Sequence, residues 1–411
     1  MNNFPGSPTS SRDLLLAFYQ GALQAVQGRR CVAEHLKRQP LQGRVWAVAV
    51  GKAAASMLAG AQDVIRIERA LLVTKPGYAP VHCAPSVEVI ESGHPVPDER
   101  SLAVGQRLLD LMTTAPVDVE WLFLISGGAS SLIEVLQEGL MLADLQRVNQ
   151  WLLASGLAID EMNAVRRRLS RIKGGQLCDY LGGRSARALL ISDVPGDDPR
   201  IIGSGLLAAG YADSIAAEKL PDWINGLLVG LPEVPEQTGC AGVETQIVAR
   251  LDHALDAVTA QADAQGLTVF RYPERLIGEA AEVGRDLALQ LRDAAPGVHL
   301  WGGETTVTLP DHPGQGGRCQ QLALAASIEL AGDERITLLA AGTDGSDGPG
   351  EIAGACIDGG TLARGQQEGL DALHALKRAD AGAFLEACGD LLETGPTGTN
   401  VTDLVIALKH A

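Results

Sequence analysis

The sequence predicts an α/β protein of two domains, and three observations carry that expectation. The chain has 411 residues, more than a single domain of ordinary size requires. Short apolar runs rich in β-branched side chains alternate with longer stretches of helical spacing, the rhythm of βαβ units on an open sheet. The runs leave through glycine-bearing loops, as buried parallel strands do.

In chain order, a frayed tail of about eleven residues precedes a helix over 13–26, where Leu14, Leu15, Phe18, Ala22 and Val26 share one face. Strands follow at 45–50, 70–73, 87–90, 122–125 and 188–191. The segment 231–242, LPEVPEQTGCAG, clusters Pro, Gly and polar residues and reads as a linker. Beyond it, 244–248, 267–272, 305–309, 336–341 and 404–408 read as strands of a second α/β unit. The expected domains are therefore 1–235 and 236–411. Paired glycines recur at irregular separations, which makes them loops and excludes a solenoid repeat.

Composition narrows the function. With 33 basic against 50 acidic side chains the net charge is −17, which repels a phosphate backbone and argues against nucleic acid as partner. The seven cysteines are scattered, with no CxxC pair, a pattern that points to a reducing compartment and away from a disulfide framework or structural zinc. Neither a leader pattern nor a membrane-spanning apolar run is visible. A cytoplasmic protein is expected, acting on a small molecule.

Several strand-end loops could carry chemistry. VAVGKAAASM, 48–57, sets Lys52 at the carboxyl end of a strand, where α/β sheets bind ligands; it holds a phosphate or is simply a solvated lysine. It matches neither GxxxxGK[ST] nor GxGxxG. In LISGGASSL, 124–132, the residues Ser126, Gly127, Gly128, Ala129 and Ser130 offer a backbone anion nest with hydroxyl donors, or a tight turn with a helix cap. ESGHPVPDERS, 91–101, places His94 in a Pro-rich loop, as a pocket wall or a surface group. The stretch 162–177 reads as a helix with Val165, Leu169 and Ile172 on one face and Arg166, Arg168, Arg171 and Lys173 elsewhere. Those cations attract a polyanion or form a solvated face, and the pair Gly174 and Gly175 suggests close approach of a ligand or backbone. Asp193 with Asp197 and Asp198, and later Asp344 with Asp347, suit a hard ion such as Mg²⁺, or Asx turns. Arg318, among glycines before a helix, is arranged to clamp a carboxylate or phosphoryl group. TGPTGTNVTDL, 394–404, adds hydroxyl and N–H donors from Thr397, Gly398, Thr399 and Asn400. Anion-friendly and acidic loops in both halves are the inventory of phosphoryl transfer.

These segments, in this order, resemble the glycerate 2-kinases of the class whose C-terminal portion is called the MOFRL domain. The likeness runs through VAVGKAAASM, VTKPGYAP, ESGHPVPDERS, LISGGASSL, NAVRRRLSRIKGG, LLISDVPGDDP, GGETTVTL, GQGGRCQQLALA, AGTDGSDGP and TGPTGTNVTDL, nearly the whole chain. The resemblance implies an N-terminal Rossmann-like open sheet and a C-terminal MOFRL-type domain, with the active site in the cleft between them. It implies ATP-dependent phosphorylation of D-glycerate to 2-phosphoglycerate with Mg²⁺, with Lys52 and Arg318 as the catalytic pair. The nucleotide is then expected at Ser126–Ser130, at Lys173 with Gly174 and Gly175, and at Thr397, Gly398, Thr399 and Asn400. The acceptor is expected at His94, Arg166 and Glu304, and the metal at Asp193, Asp344 and Asp347. A homodimer is compatible with this reading.

The chain departs from the family pattern at Cys319 and Gln321, where Asn and Glu are usual, at Arg168 for a common His, and at Leu206 for Pro. Two other readings stand beside the kinase. One is an NAD(P)H-dependent hydroxypyruvate reductase, which lacks its GxGxxG unit here; the other is a non-catalytic sensor of hydroxy acids or nucleotides.

Overall fold

The first helix, α1 (Ser11–Ala25), begins where the Ser10 side chain accepts from the Asp13 N–H, and it buries Leu15, Phe18, Tyr19 and Ala22, as the helical spacing predicts. The computed structural model describes residues 10–157, 159–208, 216–233 and 240–411. The tail before α1 and the middle of the expected linker, 234–239, lie outside the described residues.

The first-half apolar runs form one sheet of β1 (Arg44–Val50), β2 (Ile67–Thr74), β3 (Val87–Glu91), β4 (Val119–Ile125), β5 (Ala186–Ile191) and β6 (Val243–Ala249). Their order is β3-β2-β1-β4-β5-β6, parallel at every pairing. This is the Rossmann order, in which the direction of winding changes between β1 and β4 and opens a crevice at their carboxyl ends. Parallel strands need both faces covered. The cover comes from α2 (Gly28–Arg38), α3 (Ala54–Gln62), α4 (Glu99–Thr114) and the short α5 (Ala129–Leu132). One face packs Val48, Val50, Trp121, Phe123 and Ile125 into a single core with Val104, Leu108 and Met112 of α4. Three further helices, α6 (Leu142–Ala154), α7 (Ile159–Leu169) and α8 (Asp222–Leu228), share a smaller core of Leu145, Val148, Leu152, Val165, Leu169 and Ile224.

The second sheet contains β7 (Val269–Arg271), β8 (Gly297–Gly303), β9 (Ile336–Gly342), β10 (Ile352–Asp358), β11 (Leu391–Glu393) and β12 (Asp403–Lys409), in the order β11-β10-β9-β12-β8-β7. Only β7 and β8 pair in parallel; the other neighbours are antiparallel. Its helices are α9 (Leu251–Ala264), α10 (Ala280–Asp293), α11 (Arg318–Glu329), α12 (Thr361–Gln367), α13 (Ala372–Lys377) and α14 (Ala381–Ala387). Helix α11, buried along nearly its whole length, packs against α10 and the sheet.

The described residues fall into two compact units: Gln27–Arg250 with Gly398–Asn400, and Met1–Val26 with Leu251–Thr397 and Val401–Ala411. This differs from boundaries at 1–235 and 236–411 for two reasons. Helix α1 packs on α9, β9 and β12, and β6 hydrogen-bonds to β5 although the expectation placed it in the second unit.

Three further expectations are corrected. The segment 305–309 is no strand, because β-branched residues there find only an isolated bridge, Glu279 to Thr306; the strand is β8, just before it. Helix 162–177 stops at Leu169, where the chain turns to pair with its neighbour: Ser170 bridges to Leu136 and the Arg171 N–H donates to Val135 O, and Gly174 and Gly175 beyond take left-handed φ values of 65° and 83°. Finally, Cys178 and Cys240 form a disulfide, with Cα atoms 5.2 Å apart, where the scattered cysteines pointed to a reducing compartment and away from a disulfide framework; a separation of 62 residues hides such a pair from spacing arguments.

Candidate active site

In the first unit, the crevice beyond β1 and β4 is built by two interlocked turns. Gly51 leaves β1 with φ 126°, and a side chain there would lie 2.2 Å from Ser126 Oγ, so only glycine fits. The Lys52 N–H donates to Gly127 O at 2.9 Å and the Ala53 N–H to Ser126 Oγ at 3.0 Å. Ser126 is therefore a fully buried strut between the turns, which corrects its expected place among the ligand contacts.

Gly127 faces a carboxylate and an amide. A Cβ on it would meet Asp193 Oδ2 and Asn400 Nδ2, each at 1.9 Å, and Asn400 Nδ2 itself donates to Asp193 Oδ2 at 3.0 Å. Gly128, with φ 86°, would carry its Cβ 3.0 Å from the His94 ring and 3.5 Å from Lys52 Cγ. Six expected site residues thus converge at one place: Lys52, His94, Gly127, Gly128, Asp193 and Asn400.

Next to this point opens a cavity of about 640 Å³, lined by Gly128, Ser130, Ser131, Arg166 and Lys173 with Pro95–Pro97 and the α6 carboxamides Gln146, Asn149 and Gln150. The Ser130 hydroxyl lies 2.7 Å from that of Ser204. Arg166 Nε donates to Asn149 Oδ1 at 2.9 Å and Nη1 reaches Asn163 Oδ1 at 3.4 Å. Burial lowers the Arg166 pKa, as loss of water does for any cation. Three other arginines of this basic stretch make structural contacts. Arg168 binds the Leu228 and Leu231 carbonyls and Glu233, Arg167 the Asn163 carbonyl, and Arg171 the Tyr180 hydroxyl. The Gly174 and Gly175 N–H groups donate to the Ser204 and Gly205 carbonyls, so these donors close a turn.

In the second unit Arg318 opens α11. Its Nε and Nη2 donate to Asp403 at 2.5 and 2.9 Å, and Nη1 pairs with Glu304 at 2.7 Å. Burial alone would lower its pKa; Asp403 and Glu304 outweigh that and hold it above the ordinary arginine value. Glu304 is thus a partner of Arg318, both on the wall of a cavity of about 460 Å³ rich in glycine and threonine. Asp347 accepts the Cys319 and Gln320 N–H groups at 3.0 and 2.8 Å, which binds the start of α11. Gln321 Nε2 donates to Leu376 O. The Thr397 N–H and hydroxyl are both taken by backbone carbonyls, of Asp344 and Thr343, which removes this residue from the donors expected to face a nucleotide.

Of the carboxylates expected to hold Mg²⁺, Asp193 belongs to the first unit and Asp344 and Asp347 to the second. Among the described residues, no three His, Cys, Asp or Glu side chains are grouped to hold a metal. Asp347 is occupied by backbone N–H groups, and Asp344 Oδ1 accepts from Ser346 N and Oγ.

Sequence reasoning missed Glu134. It is fully buried, with Oε2 2.5 Å from Lys173 Nζ. The signal was an acidic residue inside the apolar run that follows the SGGASS turn, where a carboxylate needs a partner to be buried.

Residues 14–222 match a domain of unknown function, DUF4147, and residues 297–403 the MOFRL family. The chain is 36% identical to a D-glycerate 2-kinase of Thermotoga maritima, over 98% of this chain and 99% of that one. It is 38% identical to a putative hydroxypyruvate reductase of Agrobacterium vitis, over 96% and 94%. Among solved structures, a glycerate kinase of Thermotoga maritima superposes with a TM-score of 0.84 at 35% identity, covering 98% of this chain and all of that one. Two matched regions in the same order and full-length relatives show that the chain belongs to the glycerate 2-kinase family that joins DUF4147 to MOFRL.

Proposed function

We propose that the protein transfers the terminal phosphoryl group of ATP to the 2-hydroxyl of D-glycerate, with Mg²⁺ carried in on the nucleotide. The observation that carries this reading is the convergence of Lys52, Gly127, Gly128, His94, Asp193 and Asn400 at the winding switch of a Rossmann sheet, where such sheets bind ligands. Phosphoryl transfer asks the protein for positioning and charge balance more than for covalent chemistry.

The wall of Gly128, Ser130, Arg166 and Lys173 supplies donors for the nucleotide phosphates. Lys52, on the adjoining turn, balances charge on the transferred group. In the second unit Arg318 can exchange Glu304 for an anionic group, since Asp403 already holds its other nitrogens. Mg²⁺ fits best as a companion of the phosphates with most of its own waters, because the protein offers no clustered cage among the described residues. A reaction that draws on ATP suits the cytoplasm; separately, no described helix is long and apolar enough to cross a membrane. The reductase reading finds GKAAAS at the β1 turn where a dinucleotide fingerprint would stand.

The test is to incubate the protein with D-glycerate, ATP and Mg²⁺ and add enolase alone. Formation of phosphoenolpyruvate marks the 2-phosphate. Dependence on added phosphoglycerate mutase would move the phosphoryl group to the 3-hydroxyl, and oxidation of NADH by hydroxypyruvate without ATP turnover would replace the kinase by the reductase.

A further inference from the structure

Lys173 is 2% exposed yet lines the 640 Å³ cavity. Its recorded partner is Glu134 Oε2 at 2.5 Å, and an ammonium carries three donors. Glu134 is itself held from every side. Its Oε1 accepts from Ser170 Oγ at 2.5 Å and from the Val135 N–H at 3.0 Å, and its own N–H donates to Ser101 O. Its carbonyl oxygen would lie 1.9 Å from a Cβ on Gly105 of α4, so the helix approaches without a side chain at that point. The Ser170 hydroxyl that touches Glu134 also accepts from the Lys173 N–H at 3.2 Å, tying the lysine's backbone and side chain to one group.

As mere glue this arrangement is uneconomical, because a buried ion pair must be stripped of water and an apolar pair of similar shape stabilises as well or better. What an apolar pair cannot do is keep a cation fixed in a cavity wall. We propose that Glu134 is a positioning residue: it holds the Lys173 side chain in one place, so that its remaining donors meet a phosphate of the nucleotide. The proposal rests on the reading of this cavity as the nucleotide's seat.

The test compares Glu134→Gln, Lys173→Met and the double variant, reading ATP binding by calorimetry without glycerate, then the KM for ATP and for glycerate separately. Glu134→Gln preserves shape and removes the charge; it should weaken ATP binding about ten-fold, the scale of a lost hydrogen bond to a charged group. The KM for glycerate should stay unchanged. The double variant should match Lys173→Met, because Glu134 acts only through that lysine. If the single variants do not fold, the double variant, with neither charge left buried alone, decides by itself. A folded Glu134→Gln or double variant that binds ATP like the parent overturns the proposal, as does a glycerate KM that rises in step with that for ATP. Parent protein that binds ATP but does not phosphorylate glycerate would sink the kinase reading alone, leaving this binding test in force.

Discussion

At the scale of single residues, two groups singled out in the sequence have opposite fates. The Lys52 backbone N–H is spent on Gly127 O, while its side chain lies against Gly128 beside His94. Lys52→Met should therefore keep the turn and lose charge balance in the transition state, lowering turnover by about 10² to 10³ with little change in thermal midpoint. Full turnover in the folded variant would remove Lys52 from the catalytic set. Asp347 was expected to bind metal and instead secures α11. Burial, then the charge of Asp403, raises its carboxyl to about 6, above an ordinary value near 4. The folded protein holds this proton more tightly than the unfolded chain does. Its contribution to stability is therefore fully present below about pH 4 and is lost as pH rises through about 6. In Asp347→Asn that loss should vanish from the difference between urea-unfolding free energies at about pH 4 and about pH 6.5. An identical difference in both proteins would show that Asp347 folds without the extra proton.

At the scale of elements, the strand-end turns are the least replaceable parts. At Gly127 a methyl group would lie 1.9 Å from both Asp193 and Asn400, so Gly127→Ala must displace that pair or the turn. Turnover should fall at least ten-fold, on the scale of overpacking energies of about 1–3 kcal/mol. Gly226→Ala, with open space around it in α8, should leave kinetics alone and leave stability equal or slightly higher. Equal turnover in the Gly127 variant would mean the convergence has no catalytic meaning. These turns were legible because the apolar runs before them are buried on both faces, and burial on both faces writes a continuous hydrophobic word into the sequence. The same logic explains what was not legible. Strand β8, GVHLWGG, is buried throughout but spells itself with Gly and His, and β10, IAGACID, uses small residues; neither carries the usual β-branched signal. The Lys173–Glu134 pair was half legible: the cation stood in a conspicuous basic run, while its carboxylate partner lay 39 residues away. The left-handed Gly174 and Gly175 were visible as a pair, yet only the position of the Ser204 and Gly205 carbonyls shows that they serve a turn.

At the scale of the whole molecule, chain order and unit membership part company. Helix α1 precedes the entire Rossmann sheet in sequence but folds with β9 and β12. Helix α1 and its C-terminal cap contribute Leu15, Phe18, Tyr19, Ala22 and Val26 at 0–1% exposure. The Tyr19 hydroxyl donates to Gly342 O at 2.6 Å, and Arg12 Nη1 to Cys356 O at 2.8 Å. A domain boundary drawn from sequence rhythm would assign this helix to the first sheet and predict that its loss harms that sheet. The contacts predict the reverse. Phe18→Ala should destabilise the second unit by about 3–5 kcal/mol, the range for emptying a buried aromatic site, and Tyr19→Phe by about 1 kcal/mol for one hydrogen bond. Removing residues 1–26 combines both losses and uncovers the apolar surface beneath the helix. Hydrogen exchange resolves where the damage falls: amides of 336–342 and 403–409 should exchange faster in all three variants, most in the truncated chain, while those of 44–50 and 119–125 keep their parental protection. Faster exchange confined to 44–50 and 119–125 would return α1 to the first sheet and undo the division of the chain drawn here. Protection lost equally in both sets would instead mean that the two sheets unfold as one cooperative body.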